Sequence, residues 1–253
     1  MNFLLSTGNI PNPDHVHGLI YLKQVPVHTA SRPTLYAAFS ERIRQKSPAS
    51  IFNINVHAFN LFHQNHEFAC SIRSADFVIC DSDIIRILSR FLTGFEPEKL
   101  TGSRWVPDFL SHHREPLRIY LLGDTEQVLQ QCYFKMKVWT PESNIRFHSG
   151  FFEADKTESI IEDINQFEPD LLLVAMGMPK QELFLHEHAD RLKATLRIPV
   201  GGAFRYWAGV FPQAPGWMLK LNMEWLHRIW LEPIRLFPRY LKDAGRFLVH
   251  FLR

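Results

Sequence analysis

The sequence is poor in cysteine: its 253 residues contain three, Cys70, Cys80 and Cys132. Three thiols so placed make neither a disulfide framework nor a paired metal motif, and they fit a reducing cytoplasm. Long apolar runs are also missing. None reaches the ~18 residues that a bilayer-spanning helix needs, and the opening MNFLLSTGNIP is too briefly apolar for a signal peptide. Net charge is almost absent, with 28 Lys and Arg against 26 Asp and Glu, so no nucleic-acid partner is expected. There is no G-x-x-x-x-G-K-[ST] loop and no G-x-G-x-x-G after a strand, which argues against nucleotide hydrolysis and dinucleotide redox chemistry. A G-x-S-x-G elbow is lacking too. The 13 histidines do not fall at ligand spacings: HQNHE (63–67) lacks the H-E-x-x-H pattern, and HEH (186–188) projects its histidines to different helix faces. Neither a catalytic metal nor any other cofactor is expected.

What is present is an ordinary globular composition, 46% hydrophobic and 21% charged, with enough chain for a sizeable core. After about 18 residues rich in Gly, Pro, Asn and His, expected to be loosely held, strand-like and helix-like segments alternate. SIFNINV (50–56), ADFVICD (75–81), LRIYLLG (117–123), PDLLLVAMG (169–177) and LRIPVGG (196–202) read as strands; 124–138 and 156–166 read as helices. Such alternation predicts an α/β fold with a mostly parallel sheet covered on both faces. Ligands of these sheets bind beyond the carboxyl ends of the strands. The polar residues there are Asn53, Asn55, Asp81, Gly123, Asp124, the 177–182 turn, and Gly201 with Gly202.

A continuous apolar run, Leu171 to Met176, reads as a strand buried on both faces. Gly177 allows a tight exit, Pro179 suits a first helical turn, and the helix start offers unpaired N–H groups to an anion. Lys180 adds positive charge, while Gln181 and Glu182 can bond hydroxyls or ring N–H groups. Any strand-to-helix turn in an α/β protein could look similar, so the turn alone does not assign a site.

From about residue 212 the alternation stops and the pattern is helical. Lys220, Arg228, Arg235, Arg239, Lys242, Arg246 and Arg253 outnumber Glu224, Glu232 and Asp243 there, and Trp217, Trp225 and Trp230 cluster with them. On one helix, Arg235, Arg239, Lys242, Arg246 and Arg253 fall in an arc of about 60°, opposite Phe237, Tyr240, Leu241, Ala244, Phe247, Leu248, Phe251 and Leu252. That arrangement suits a helix lying on an anionic bilayer. It equally suits a helix packed on the core with a solvated basic face, or a dimer contact. Pro238 is expected to kink it.

Several stretches, taken in order, carry a family resemblance: ADFVICDSDIIRILSRFLTG, PEKLTGS, GDTEQVL, GFFEADKTESIIEDINQFEPDLLLVAMGMPKQE, VGGAF, AGVFPQAPGWM and EWLHRIWLEPIRLFPRYL. Over roughly residues 45–250 the chain resembles the WecG/TagA/CpsF glycosyltransferases. The resemblance implies a single Rossmann-like core (19–211) with a basic amphipathic helical appendage (212–253) that meets the inner face of the cytoplasmic membrane peripherally. It implies an inverting, metal-independent transfer from a UDP-sugar donor to an undecaprenyl-diphosphate-linked acceptor in bacterial surface-polysaccharide synthesis. It also implies roles. Asp81 matches the proposed catalytic base, although Asp81 or Ser82 could instead cap the helix that follows. Donor contacts are expected from Asn53, Asn55, Ser82, Gly177, Lys180, Gln181, Glu182, Gly201, Gly202 and Arg205. Acceptor contacts are expected from Lys99, Arg104, Arg228, Arg235 and Arg239.

The departures are equally informative. Where relatives read D-G-x-G this chain has Asp81-Ser82-Asp83-Ile84, so two glycines are gone; Lys99 replaces an arginine, and Pro238 stands at another arginine position. Arg104 and Arg205 replace two acids. They are either drifting surface positions or a pocket for an acidic sugar such as a uronic acid, since guanidinium forks suit carboxylates. The donor is accordingly expected to be of N-acetylmannosamine type or a uronic acid. The lost glycines support another function, a catalytically silent nucleotide-sugar-binding scaffold. A third reading is a soluble enzyme on small phosphorylated sugars whose apolar tail makes a homo-oligomer.

Overall fold

The computed structural model describes residues 18–252; the expectations placed on 1–17 and on Arg253 lie outside them. The described chain opens with a hairpin, β1 (Leu19–Leu22) paired antiparallel with β2 (Val25–His28). Next come α1 (Arg32–Gln45), β3 (Ala49–Ile54), α2 (Val56–Gln64), α3 (His66–Arg73), β4 (Phe77–Cys80), α4 (Asp83–Thr93) and α5 (Gly102–His112). The second half holds β5 (Arg118–Gly123), α6 (Glu126–Trp139), β6 (Asn144–His148), α7 (Thr157–Phe167), β7 (Leu171–Ala175), α8 (Lys180–Glu187) and β8 (Leu196–Pro199). Four helices close the chain: α9 (Ala203–Trp207), α10 (Gly216–Lys220), α11 (Glu224–Leu231) and α12 (Pro233–Leu252).

Six strands form one parallel sheet in the order β4-β3-β8-β7-β5-β6, the Rossmann-like arrangement expected. Alternation at period two sends side chains of each inner strand into two apolar layers. Ile51, Ile119, Leu121 and Leu173 meet α1, α5, α6 and α9 on one side. Phe52, Tyr120, Leu122 and Leu172 meet α2, α3, α7 and α8 on the other. The strands therefore read as near-continuous apolar runs. β6 escaped that reading because it is an edge strand, half-buried and polar at Asn144, Arg146 and His148. The hairpin escaped it because its turn, Lys23-Gln24, reaches positive φ without glycine or asparagine.

Four predicted strands end early, at Ile54, Cys80, Ala175 and Pro199, and the first two matter for the site. SIFNINV stops at Ile54, and Asn55 instead caps α2 by accepting from Ala58 N at 3.0 Å. ADFVICD stops at Cys80.

The tail is helical, as expected, but its apolar side is divided. Tyr240, Phe247 and Phe251 are half-buried, and the Phe247 ring meets Phe59 of α2 at 4.9 Å. Phe237, Leu241, Leu248 and Leu252 remain exposed. The divide follows from Asp243, a buried acid in the middle of the helix. His57 Nδ1 lies 3.0 Å from its carboxylate, and Asn60 Nδ2 donates to its carbonyl at 2.8 Å. These bonds fix α12 against α2 in one rotation. The helix runs continuously through Pro238.

Candidate active site

The carboxyl end of β4 carries Asp81, the expected base. Asp81 N donates to Ile54 O at 2.8 Å, and Leu100 N donates to Cys80 O at 2.8 Å, which lays the segment 99–101 beside it. Ser82, not Asp81, caps α4: its Oγ accepts from Ile85 N at 3.4 Å. Asp81 is thereby left with a carboxylate that serves no cap. Burial pushes that carboxyl from its ordinary 3.8 up to about 6; Arg228 and the Thr101 hydroxyl draw it back, Glu224 raises it further, and Lys99 lowers it.

The cation with the largest effect on Asp81 comes from the appendage. Arg228 on α11 sits over the Tyr206 ring at 5.6 Å and 3.6 Å from Glu224. Burial opposes its charge, but Asp81, Tyr206 and Glu224 outweigh burial and hold the guanidinium above its ordinary range. Glu224 is buried and also lies 3.8 Å from Arg104 on α5. Tyr240 of α12 completes the group, stacked on Trp225 with ring centroids 6.3 Å apart. Burial raises its phenol and the Arg228 charge lowers it. One acid from the core thus lies within the influence of a cation, an acid and a phenol carried by the appendage, Arg228, Glu224 and Tyr240. Glu224, Thr101, Tyr206 and Tyr240 were missed in the sequence. For Glu224 the signal was its place four residues before Arg228, one helical turn away on the same face.

The residues expected to meet an acceptor divide. Lys99 and Arg228 act on Asp81, and Arg104 reaches Glu224. Arg235 and Arg239 are instead engaged by acids one turn away: Arg235 Nε bonds Glu232 at 2.9 Å, and Arg239 Nε lies 3.6 Å from Asp243. Lys99 also bonds Asp83 through its ammonium.

Of the residues expected to contact a donor, Asn53, Gly177, Gln181, Gly201 and Gly202 gather at the ends of β3, β7 and β8, whereas Asn55 and Ser82 are taken up as the caps of α2 and α4. Gln181 Oε1 accepts from Gly177 N and from Gly201 N, both at 3.2 Å, while Nε2 donates to Glu182 Oε1 at 2.7 Å. Its amide fastens two ligand-side turns together, with Gly177 and Gly201 both at positive φ (79° and 55°), where a Cβ would be strained. In this arrangement the Gln181 amide faces the protein's own backbone, where the sequence had it facing sugar hydroxyls. Lys180 extends over the Phe152 ring at 5.3 Å. Gly202 leads into α9, and Arg205 Nε donates to Asp124 Oδ2 at 2.8 Å across the tips of β5 and α9. Asn53 Nδ2 donates to Pro199 O at 2.9 Å.

Around this cluster are buried polar atoms without a protein partner: Asn53 Oδ1, Ser103 Oγ and Glu182 Oε2. α5 starts beside them, its first residue Gly102 lying where a Cβ would come 4.0 Å from Asn53 Nδ2, and no side chain caps it. An uncapped helix start lined by buried hydroxyl and amide groups suits an anionic, hydroxyl-bearing ligand. Among the described residues, no group of three or more His, Cys, Asp or Glu side chains could hold a metal ion.

Glu182 has a measurable consequence. Its side chain is fully buried, and burial raises the carboxyl from its ordinary 4.5 to about 7 while Gln181 draws it down. Protonation therefore favours the folded state. The stabilisation is complete below about pH 4.5 and is lost as pH rises through about 7, by up to about 3 kcal/mol. Glu182→Gln is expected to flatten that part of the stability profile. Melting curves taken between about pH 5 and about pH 8 check this: wild type should lose stability relative to the variant as pH rises, and parallel curves would refute it.

With the geometry in place, comparison with known proteins adds the following. The model of the Glycosyl transferase WecG/TagA/CpsF family matches residues 20–253. An N-acetylglucosaminyldiphosphoundecaprenol N-acetyl-beta-D-mannosaminyltransferase of Bacillus subtilis (strain 168) is 27% identical over 194 residues, 76% of this chain and 75% of the relative. A protein of the same description from Staphylococcus aureus (strain NCTC 8325 / PS 47) is 26% identical over 162 residues, 64% of this chain and 63% of the relative.

Proposed function

The chain belongs to the WecG/TagA/CpsF glycosyltransferase family, and from that premise we propose that it moves an N-acetylmannosamine-type sugar from a UDP-sugar onto an undecaprenyl-diphosphate-linked acceptor. The product serves bacterial surface-polysaccharide assembly. The observation that carries the mechanism is Asp81: a carboxylate freed from capping, poised near pH 6, and facing Arg228.

Transfer with inversion needs a base on one face of the sugar and charge stabilisation on the other. The acceptor hydroxyl attacks the anomeric carbon while its proton passes to Asp81. The bond from the anomeric carbon to the diphosphate oxygen breaks, and the electron pair leaves with UDP. The charge gathering on that diphosphate is met by the uncapped start of α5 and by Lys180, with no metal required. Asn53 and Ser103 offer unpartnered oxygens to the sugar or ribose hydroxyls. Gln181 and Glu182 act by holding the Gly177 and Gly201 turns in register. Arg228 and Lys99 orient the lipid diphosphate near the base. Arg205 and Arg104 already face Asp124 and Glu224, which favours an uncharged donor over a uronic acid.

Among the described residues no helix is long and apolar enough to cross a membrane. The acceptor is nevertheless a lipid, and α10–α12 expose Trp217, Trp230 and Ile234, the last at 93%, beside Arg235, Lys242 and Arg246. This supports peripheral attachment at the inner face of the cell membrane. The test is UDP release from UDP-N-acetylmannosamine with a short-chain lipid-diphosphate-N-acetylglucosamine. Acceptor-dependent release is expected. Donor binding without turnover across a panel of acceptors would favour the silent scaffold instead.

A further inference from the structure

α4 presents a face that its own fold does not use. Ile85 and Ser89 point inward, and Arg86 with Arg90 closes the polar flank by pairing with Glu96. Ile84, Ile87, Phe91 and Leu92 are exposed over an arc of about 140°, interrupted by Leu88, which packs partly against the core. Phe95, just past the helix, extends the same patch, and Phe91 is 80% exposed. A helix in contact with water on that side would carry polar residues there.

We infer that α4 is a second membrane-contacting element: its outer face lies on the bilayer, so that Asp81 opens between two lipid-facing surfaces, α4 on one side and α10–α12 on the other. The inference rests on the reading of a lipid-linked acceptor. Three observations select the bilayer as occupant. The first is position: α4 begins two residues after Asp81, so an acceptor hydroxyl brought to that carboxylate holds its lipid diphosphate close to the start of α4. The second is continuity of composition. Across Asp81, reached through Arg228 and Tyr240, α11 and α12 expose Trp225, Trp230 and Phe237, and aromatic side chains of this kind gather at membrane–water boundaries. The third is charge. On the polar flank of α4, Asp83 and Glu96 are outnumbered by Lys99, Arg86 and Arg90, leaving the rim positive toward anionic lipid headgroups.

The experiment uses the full chain and the double substitution Ile87→Ser/Phe91→Ser, both at exposed positions outside the catalytic machinery, with melting curves to verify the fold. Flotation with vesicles of phosphatidylglycerol and phosphatidylethanolamine should show partition reduced by about tenfold or more. Turnover of a vesicle-embedded lipid acceptor should fall in parallel, while turnover of a short-chain, water-soluble acceptor should stay within about twofold of wild type. Unchanged flotation and unchanged vesicle turnover would overturn the inference. So would a wild type that sediments as a dimer without lipid, a monomeric variant and unaltered flotation, which would give the face to a second copy of the chain. Failure of the functional reading is separate: it would appear as no turnover of either acceptor by wild type, whereas flotation still reports on α4.

Discussion

Asp81→Asn is expected to lower acceptor-dependent turnover by about 10²- to 10⁴-fold, the range a positioned general base contributes, while raising the melting temperature at neutral pH. Both effects have one cause. Asp81 is half-buried at the end of β4, and desolvation rather than a partner dominates its carboxyl, lifting it from 3.8 to about 6. An acid whose folded-state value is raised stabilises the fold fully below its unfolded value. That contribution is lost as pH rises through the folded value, here between about 4 and about 6. Above pH 6 the ionised group therefore weighs against folding, by about 1–3 kcal/mol. Asparagine keeps the shape and removes the charge, so the gap in melting temperature between variant and wild type should widen from pH 5 to pH 8. A variant that keeps full turnover would discard Asp81 as the base. One that loses turnover and is also less stable at pH 8 would make Asp81 a structural residue.

Arg228→Met should be comparably damaging, reducing turnover by about 10²- to 10³-fold, as loss of a preorganised charge-stabilising donor does. Two consequences combine. The acceptor's diphosphate loses a cation, and Asp81 loses the largest of the influences holding its carboxyl down. Methionine fills a similar volume over Tyr206, which separates loss of charge from loss of packing. Arg228→Lys should recover little, because an ammonium cannot reproduce the planar fork set between Glu224 and the Tyr206 ring. Recovery to near wild-type turnover with lysine would reduce Arg228 to a diffuse positive charge.

The fold was legible where burial was two-sided. Five of the six parallel strands announced themselves as apolar runs, and the sixth, β6, did not because an edge strand keeps polar residues. The position of Asp81 was legible for the same reason, at the end of FVIC. Its freedom from capping was not, because Asp81 and Ser82 are equally able to cap and only the backbone direction decides in favour of Ser82. Gln181 shows a different limit. Its amide joins Gly177 to Gly201, which are distant in sequence and become neighbours only once β7 and β8 pair. The same holds for Arg205, whose partner Asp124 sits two strands away. In the tail, helical periodicity set basic positions opposite apolar ones. It could not say that the apolar side would be shared between the core and the exterior; Asp243, bonded to His57 and Asn60, makes that division.

The central claim is that a core acid and an appendage cation form one site. The pH dependence of kcat/KM for acceptor-dependent UDP release, compared between wild type and Arg228→Met, tests it most directly. Wild type should show an acidic limb with an apparent pKa of about 6. Arg228→Met should move that limb to higher pH, because Arg228 holds the Asp81 carboxyl down. A limb that stays in place, or a profile flat through this range, would contradict the account.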